Sequence, residues 1–373
     1  MRGPAAQPIV IAAGGTGGHF FPAEALAAEL IARGHRIVLF TDARRANIAS
    51  PVFDGRERFI IKGAGIAGRG MLRSVSAAAG LAAGTLQARG VLAGLGAAAV
   101  VGFGGYPSVA PVLATRLLRR PPPVLLHEQN AVLGRANRRL APFADLLALS
   151  FLATAGVPGI APAQVTGNPV RPELASLAGQ GYAVPEAEIR LLVLGGSLGA
   201  RVFSDVVPAA LAALPAMLRA RLRVTQQCRA EDIERVRAAY AAHSIHADLA
   251  PFFADVAGLL GRAHLVIARA GASTVAELSV AGRPAILVPL PHAIDDHQTA
   301  NAAALAKAGG GWIAPQSGFT AEALAGQLAA LFEHPAVLAD AAARAATQGR
   351  PDAAARLADR VEAAIAVRQE QSA

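Results

Sequence analysis

Two glycine-rich turns, one in each half, constrain this chain more than any other feature: Gly14-Gly15-Thr16-Gly17-Gly18-His19 and Gly195-Gly196-Ser197-Leu198-Gly199-Ala200. Each follows an apolar run suited to a buried parallel strand, Ile9 to Ala13 in one case and Leu191 to Leu194 in the other, and each leads into helix-like sequence. Glycine lets the backbone turn tightly, and the helix that follows offers unpaired N–H groups and a positive dipole end to an anion. The pattern predicts two phosphate-cradling α/β folds in tandem, and a length of 373 residues suits two cores of ordinary size.

Alternation of strand-like and helix-like runs extends that prediction. In the first half, strands are expected at Ile9 to Ala13, Arg36 to Thr41, Ala98 to Gly102, Val124 to His127 and Leu146 to Ser150, with a helix from about Pro22 to Arg33. The second half gives Arg190 to Leu194, Arg223 to Gln227, Leu265 to Ala268 and Ala285 to Val288. Strands separated by helices imply right-handed crossovers and parallel sheets covered on both faces. Asn168-Pro169-Val170-Arg171-Pro172, with two prolines that oppose helix, marks the crossing between domains. Domains are therefore expected at 1–170 and 171–349, with a C-terminal helix of about 350–373 packing back on the first.

Composition removes several classes. Hydrophobic residues make up 53%, but alanine is so frequent that a mean hydropathy of +0.40 reflects small helix formers. The longest apolar stretch, Gly90 to Val101, is too short to span a bilayer, and no signal peptide opens the chain, so a cytoplasmic protein is expected. Cys228 is the one cysteine, which excludes an internal disulfide and a cysteine-based metal cluster. A net charge of +9 favours an anionic partner, yet the basic residues do not interleave with aromatics and no nucleic-acid module is present.

Neither turn is a dinucleotide fingerprint. Gly15-Thr16-Gly17 lacks the third glycine, although Asp42 stands where a ribose acid would, and the second turn also departs from the pattern, which argues against a nicotinamide dehydrogenase. Gly102-Phe103-Gly104-Gly105-Tyr106-Pro107-Ser108 brings a third flexible turn to the same carboxyl edge. His127-Glu128-Gln129-Asn130 ends the next strand with four polar side chains, either a site or a polar loop with a helix cap. Ala270 to Glu277 pairs a glycine turn with Ser273, Thr274 and the Glu277 carboxylate; this fits a ribose-binding acid and equally a capping box. Asp295-Asp296-His297-Gln298 follows a proline-bounded loop and lacks metal spacing, and with no Asp-x-Asp in the chain neither a metal nor another cofactor is implied.

Taken in order, these motifs closely resemble the MurG family, the peptidoglycan N-acetylglucosaminyltransferases, over about residues 9 to 345. The resemblance implies a GT-B architecture, two Rossmann-like parallel-sheet domains facing across a cleft, and a hexosyltransferase. It would move GlcNAc, with inversion, from UDP-GlcNAc to the C4 hydroxyl of MurNAc in undecaprenyl-pyrophosphoryl-MurNAc-pentapeptide, converting lipid I to lipid II. On the donor side it assigns the diphosphate to Ser197 and the backbone after it, the uracil border to the backbone at Phe253, the adjoining turn to Ala272, Ser273, Thr274, Val275 and Ala276, and the ribose to Glu277. Asn130 and Gln298 would contact the sugar, with Arg171, Thr16, Gly17 and Gly18 closing the site, and Gly104, Gly105 and Tyr106 would face the acceptor. His19 is the leading candidate for the general base and Glu128 the rival; His19 also fits a neutral imidazole that fixes the loop or touches the acceptor pyrophosphate.

The lipid-linked acceptor implies peripheral attachment to the cytoplasmic face of the bacterial inner membrane and an anionic membrane surface as partner, with other cell-wall and division enzymes as protein partners. Leu72, Val75, Ala79 and Leu86 fall on one helix face near Lys62, Arg69, Arg73 and Arg89, a pattern that fits head-group contact and also ordinary core packing. The competing functions are another GT-B glycolipid transferase, a UDP-sugar epimerase of related fold, and a non-catalytic nucleotide-sugar-binding scaffold.

Overall fold

In a computed structural model of the chain, the described residues are 7–14, 17–43, 50–62, 71–196 and 199–371, with side chains described from 76 onward in the helix that begins at Met71. The chain divides into two compact units, Met1–Arg171 together with Asp352–Ala373, and Pro172–Pro351. Gly15, Thr16, Arg69, Ser197 and Leu198, and the side chains of Leu72, Arg73 and Val75, lie outside the described residues.

The first unit holds a parallel sheet of β1 (Ile9–Ala12), β2 (Ile37–Thr41), β3 (Arg58–Ile60), β4 (Ala99–Gly102), β5 (Val124–Glu128), β6 (Leu146–Leu149) and β7 (Ala163–Val165), in the spatial order β3-β2-β1-β4-β5-β6-β7. The second holds β8 (Ile189–Leu194), β9 (Leu222–Gln227), β10 (His246–Ala250), β11 (Leu265–Ala268), β12 (Ala285–Leu287) and β13 (Gly311–Ile313), ordered β10-β9-β8-β11-β12-β13. Both sheets therefore run outward in two directions from their first strand. This doubly wound order creates a switch point beside β1 and β4 in one unit and β8 and β11 in the other, where ligands settle at the carboxyl ends of strands.

The alternation of side chains along β1 explains its unbroken apolar sequence. Ile9 and Ile11 face Phe20, Leu26 and Leu30 of the Gly17–Ala32 helix and Leu357 and Val361 of the Ala353–Glu370 helix. Val10 and Ala12 face the opposite layer, with Ala88 and Leu92 of the Met71–Leu95 helix and Val112 of the Val109–Thr115 helix. A strand covered on both sides needs apolar residues at every position, and each large aliphatic side chain so buried contributes about 1.5–3 kcal/mol. The C-terminal helix is also fastened by charge: Arg33 reaches Asp359 and Glu362 at 2.7 Å each, and His35 reaches Glu362 at 2.7 Å.

Three local expectations are corrected. The first helix begins at Gly17, so Pro22 lies inside it as its sixth residue and removes one regular N–H from the second turn. The Met71–Leu95 helix turns Gly84, Thr85, Ala88 and Leu92 inward and leaves Ala79 and Leu86 exposed, so core packing does not account for these two. Four strands were not anticipated, and β3, β7, β10 and β13 are the outermost members of the two sheets.

Candidate active site

In the first unit the carboxyl edge gathers the polar residues that close β1, β4 and β5. His19 is the third residue of the helix that follows β1 and is partly exposed. Its Nδ1 lies 3.0 Å from Oε1 of the buried Gln129. Gln129 Nε2 donates to the Phe103 carbonyl at 3.0 Å and to Nδ1 of His127 at 3.1 Å. The fully buried His127 in turn directs Nε2 at the Gly167 carbonyl, 3.0 Å away. Burial pushes the His127 imidazole down to about 4, so it is neutral near pH 7.

Glu128 has a different occupation. Its Oε1 accepts from the backbone N and the side-chain Nδ2 of Asn130 at 3.0 and 3.1 Å, and its Oε2 accepts from Gly134 N at 2.8 Å and Asn137 Nδ2 at 2.9 Å. Four donors fill a carboxylate's lone-pair positions. Glu128, only 2% exposed, thus organises the loop after β5 and leaves no lone pair for a substrate proton.

The turn after β4 lies against the same residues. Gly104 and Gly105 both take positive φ, 75° and 64°, and a Cβ on Gly104 would lie 3.1 Å from Asn137 Nδ2, so a side chain there meets both backbone strain and crowding. The Tyr106 hydroxyl is buried without a partner, and burial pushes the phenol up, so it keeps its proton. Arg171 stacks over the Phe21 ring with its Cζ 5.2 Å from the centroid, and its Nε has no partner. Asn168 is buried with neither side-chain amide atom bonded.

The second unit secures its turn with a neutral amide. Gln227, at the end of β9, accepts from Gly195 N at 3.0 Å and donates to the carbonyls of Gly196 at 3.0 Å and Pro251 at 3.1 Å. A Cβ on Gly195 would come within 2.3 Å of Ala200 N, which makes glycine obligatory there. Beside it, the Ala272–Ala281 helix has Gly271 as its N-cap and so no side-chain cap on its first N–H groups. The capping box therefore does not form: Ser273 and Thr274 stand inside the first turn, the Ser273 hydroxyl is buried and unpartnered, and Glu277 is farther along the partly exposed side. Ala272 and Val275 are buried, and Ala276 is half-buried.

Arg269 and Asn301, neither anticipated as site residues, brace that turn. Arg269 donates to the carbonyls of Val288 and Pro289 and to Gln316, and Asn301 donates to the Ala270 carbonyl at 3.1 Å. Gln298 Oε1 accepts from Leu290 N at 2.9 Å, within a loop whose His292, Asp295 and Asp296 all take positive φ. Phe253 is partly exposed in the segment that follows β10. Gln227 ends the mixed strand Leu222–Gln227 directly after another glutamine, Gln226, and no sequence pattern marked it beforehand.

Comparison with known proteins agrees along nearly the whole chain. Residues 9–148 match the glycosyltransferase family 28 N-terminal domain and residues 190–357 the family 28 C-terminal domain. A protein of Granulibacter bethesdensis named UDP-N-acetylglucosamine--N-acetylmuramyl-(pentapeptide) pyrophosphoryl-undecaprenol N-acetylglucosamine transferase is 62% identical over 98% of this chain and 95% of its own length. The protein of the same name from Acidiphilium cryptum is 56% identical, over 99% of this chain and 100% of its own. The crystal structure of Acinetobacter baumannii MurG matches with a TM-score of 0.77 at 31% identity, covering 95% of this chain and 99% of that one.

Proposed function

The chain belongs to glycosyltransferase family 28 and within it to the MurG family, and from that membership we propose that it transfers GlcNAc from UDP-GlcNAc to the C4 hydroxyl of MurNAc in undecaprenyl-pyrophosphoryl-MurNAc-pentapeptide. It is a GT-B hexosyltransferase of peptidoglycan synthesis. The observation that carries this is the 62% identity over 98% of the chain to a transferase of that name.

In this mechanism the second unit holds the donor. The glycine turn after β8, including Ser197, and the uncapped start of the Ala272–Ala281 helix meet the diphosphate with main-chain N–H groups; Glu277 takes the ribose hydroxyls, the backbone at Phe253 borders the uracil, and Gln298 addresses the sugar. In the first unit Arg171, steadied on Phe21, supplies a guanidinium for the charge that grows on departing UDP, and Thr16, Gly17 and Gly18 close the site. Asn130 presents an amide to a sugar hydroxyl, and Gly104, Gly105 and Tyr106 receive the acceptor. His19 Nε2 removes the proton from the MurNAc O4; the O4–C1 bond forms as the C1–phosphate oxygen bond breaks, and configuration at C1 inverts. The saturated Glu128 positions Asn130 and takes no proton.

The lipid on the acceptor places the protein at the cytoplasmic face of the bacterial inner membrane. No helix among the described residues is long and apolar enough to cross a membrane. The exposed Ile60, Leu86 and Leu117 are apolar, and Lys62 and Arg89 are exposed nearby, a composition suited to an anionic bilayer surface.

Incubation with UDP-GlcNAc and a lipid I analogue, without added metal, tests the assignment. UDP release that requires the acceptor supports the transferase; a free sugar, an epimer, or binding without turnover would reject it.

A further inference from the structure

The bonds around Gln129 determine where His19 carries its proton. The Gly167 carbonyl can only accept, so His127 holds its hydrogen on Nε2 and offers a lone pair at Nδ1. The atom of Gln129 that faces this lone pair and the Phe103 carbonyl must therefore be the amide nitrogen. Reversing the amide would set its oxygen against both acceptors, and a second hydrogen on His127 to relieve the clash is excluded by complete burial of the ring. The opposite end of the amide, Oε1, thus faces His19 Nδ1 at 3.0 Å and can only accept.

We propose that Gln129, held in one orientation by His127 and the Phe103 carbonyl, is a positioning residue that locks His19 in the Nδ1–H tautomer and so presents an unprotonated Nε2 to the acceptor hydroxyl. This inference rests on the base role of His19 given above. The surroundings of Nε2 leave room for a hydroxyl to approach, because a Cβ on Gly105 would come 3.4 Å from it and the bare Gly105 backbone leaves that edge of the ring uncovered. Free imidazole in water favours the other tautomer, with its hydrogen on Nε2, which would block proton abstraction. Gly167, from which the orientation ultimately derives, is followed directly by the buried, unbonded Asn168. The lock thus ties the turn after β1 to the end of β5 and to the Gly167–Asn168 segment within one unit.

Nitrogen-15 NMR of the histidine-labelled full chain near pH 8 reads the tautomer directly in the unmutated protein. A hydrogen on Nδ1 of His19 is expected, with assignment by loss of the signal in His19→Ala; a hydrogen on Nε2 would overturn the lock. Gln129→Leu, similar in volume, should return His19 to the Nε2–H form and lower kcat by roughly 10- to 100-fold, with KM for UDP-GlcNAc unchanged. A Gln129→Leu enzyme that binds donor normally and keeps its kcat would also overturn it. If His19→Ala itself retains full turnover, the base assignment fails; if it loses turnover while Gln129→Leu does not, the lock alone fails.

Discussion

The two units share one strand order yet secure their first glycine turn by different chemistry. Behind β8, Gln227 clamps Gly195 and Gly196 with a neutral side chain that holds no titrating group. Behind β1, the corresponding edge is tied through Gln129 to two imidazoles, one buried and neutral and one partly exposed. A turn that has only to surround a diphosphate needs main-chain donors of fixed aim, and a neutral brace supplies them at any pH. A turn that must remove a proton needs a group whose lone pair is both oriented and exchangeable. On the proposed mechanism, the same fold serves binding in one unit and proton transfer in the other, through the side chain placed behind the turn.

That division of labour is open to direct attack. His19→Ala should lower turnover by about 10²- to 10⁴-fold while UDP-GlcNAc affinity, measured by calorimetry, stays within error; a near-normal rate would leave the first turn no special chemistry. His127 should make stability depend on acid. Its ionisation is lowered from 6.5 to about 4, so the unfolded chain binds a proton across that window that the folded chain refuses. Stability present above about pH 6.5 is then lost as pH falls toward 4, by about 3 kcal/mol in all. Urea titrations at pH 7 and 4.5 should show this loss in the parent and a smaller one in His127→Gln; equal losses would remove the buried imidazole from the account.

On the donor side the expected effects are smaller. Glu277→Ala should weaken UDP-GlcNAc binding by about 10- to 100-fold with little change in kcat, since hydrogen bonds to a charged group contribute about 1.5–3 kcal/mol. Unchanged donor affinity would withdraw the ribose role. Gln227→Ala strands one backbone N–H and two carbonyls, and should weaken donor binding about tenfold at every pH from 6 to 9. A pH-dependent defect there would erase the contrast between the two turns.

Legibility in the sequence followed burial. The strands read correctly, from Ile9–Ala12 to Ala285–Leu287, lie inside their sheets, where both faces demand apolar residues. The four that escaped are edge strands with weak patterns: Ala163–Val165 is exposed throughout, and Gly311–Ile313 is only partly buried. Of the site, the turns were visible because glycine has few other uses at the end of a buried strand. The different occupations of His127, Glu128 and Gln129 were hidden because adjacent polar residues diverge in three dimensions: Glu128 reaches forward to Gly134 and Asn137, while Gln129 reaches back to Phe103 and His19. The capping-box alternative stayed open in the sequence because Thr274 and Glu277 have its spacing, whereas in the fold Gly271, rather than a hydroxyl residue, begins the helix.

The return of the Ala353–Glu370 helix to the first unit has a bearing on how the chain is born. Ile9 and Ile11 leave the ribosome before any of the second unit, yet they pack in a core completed by Leu357 and Val361, which are made only after that unit. The later half of the chain, continuous from Pro172 to Pro351, contains all of its own strands and can close during synthesis, whereas the earlier half must wait with one flank of its core open. Ribosome-bound nascent chains ending just before residue 352 should therefore show a protease-resistant second half behind a still-sensitive first half, reversing the usual N-to-C order of maturation.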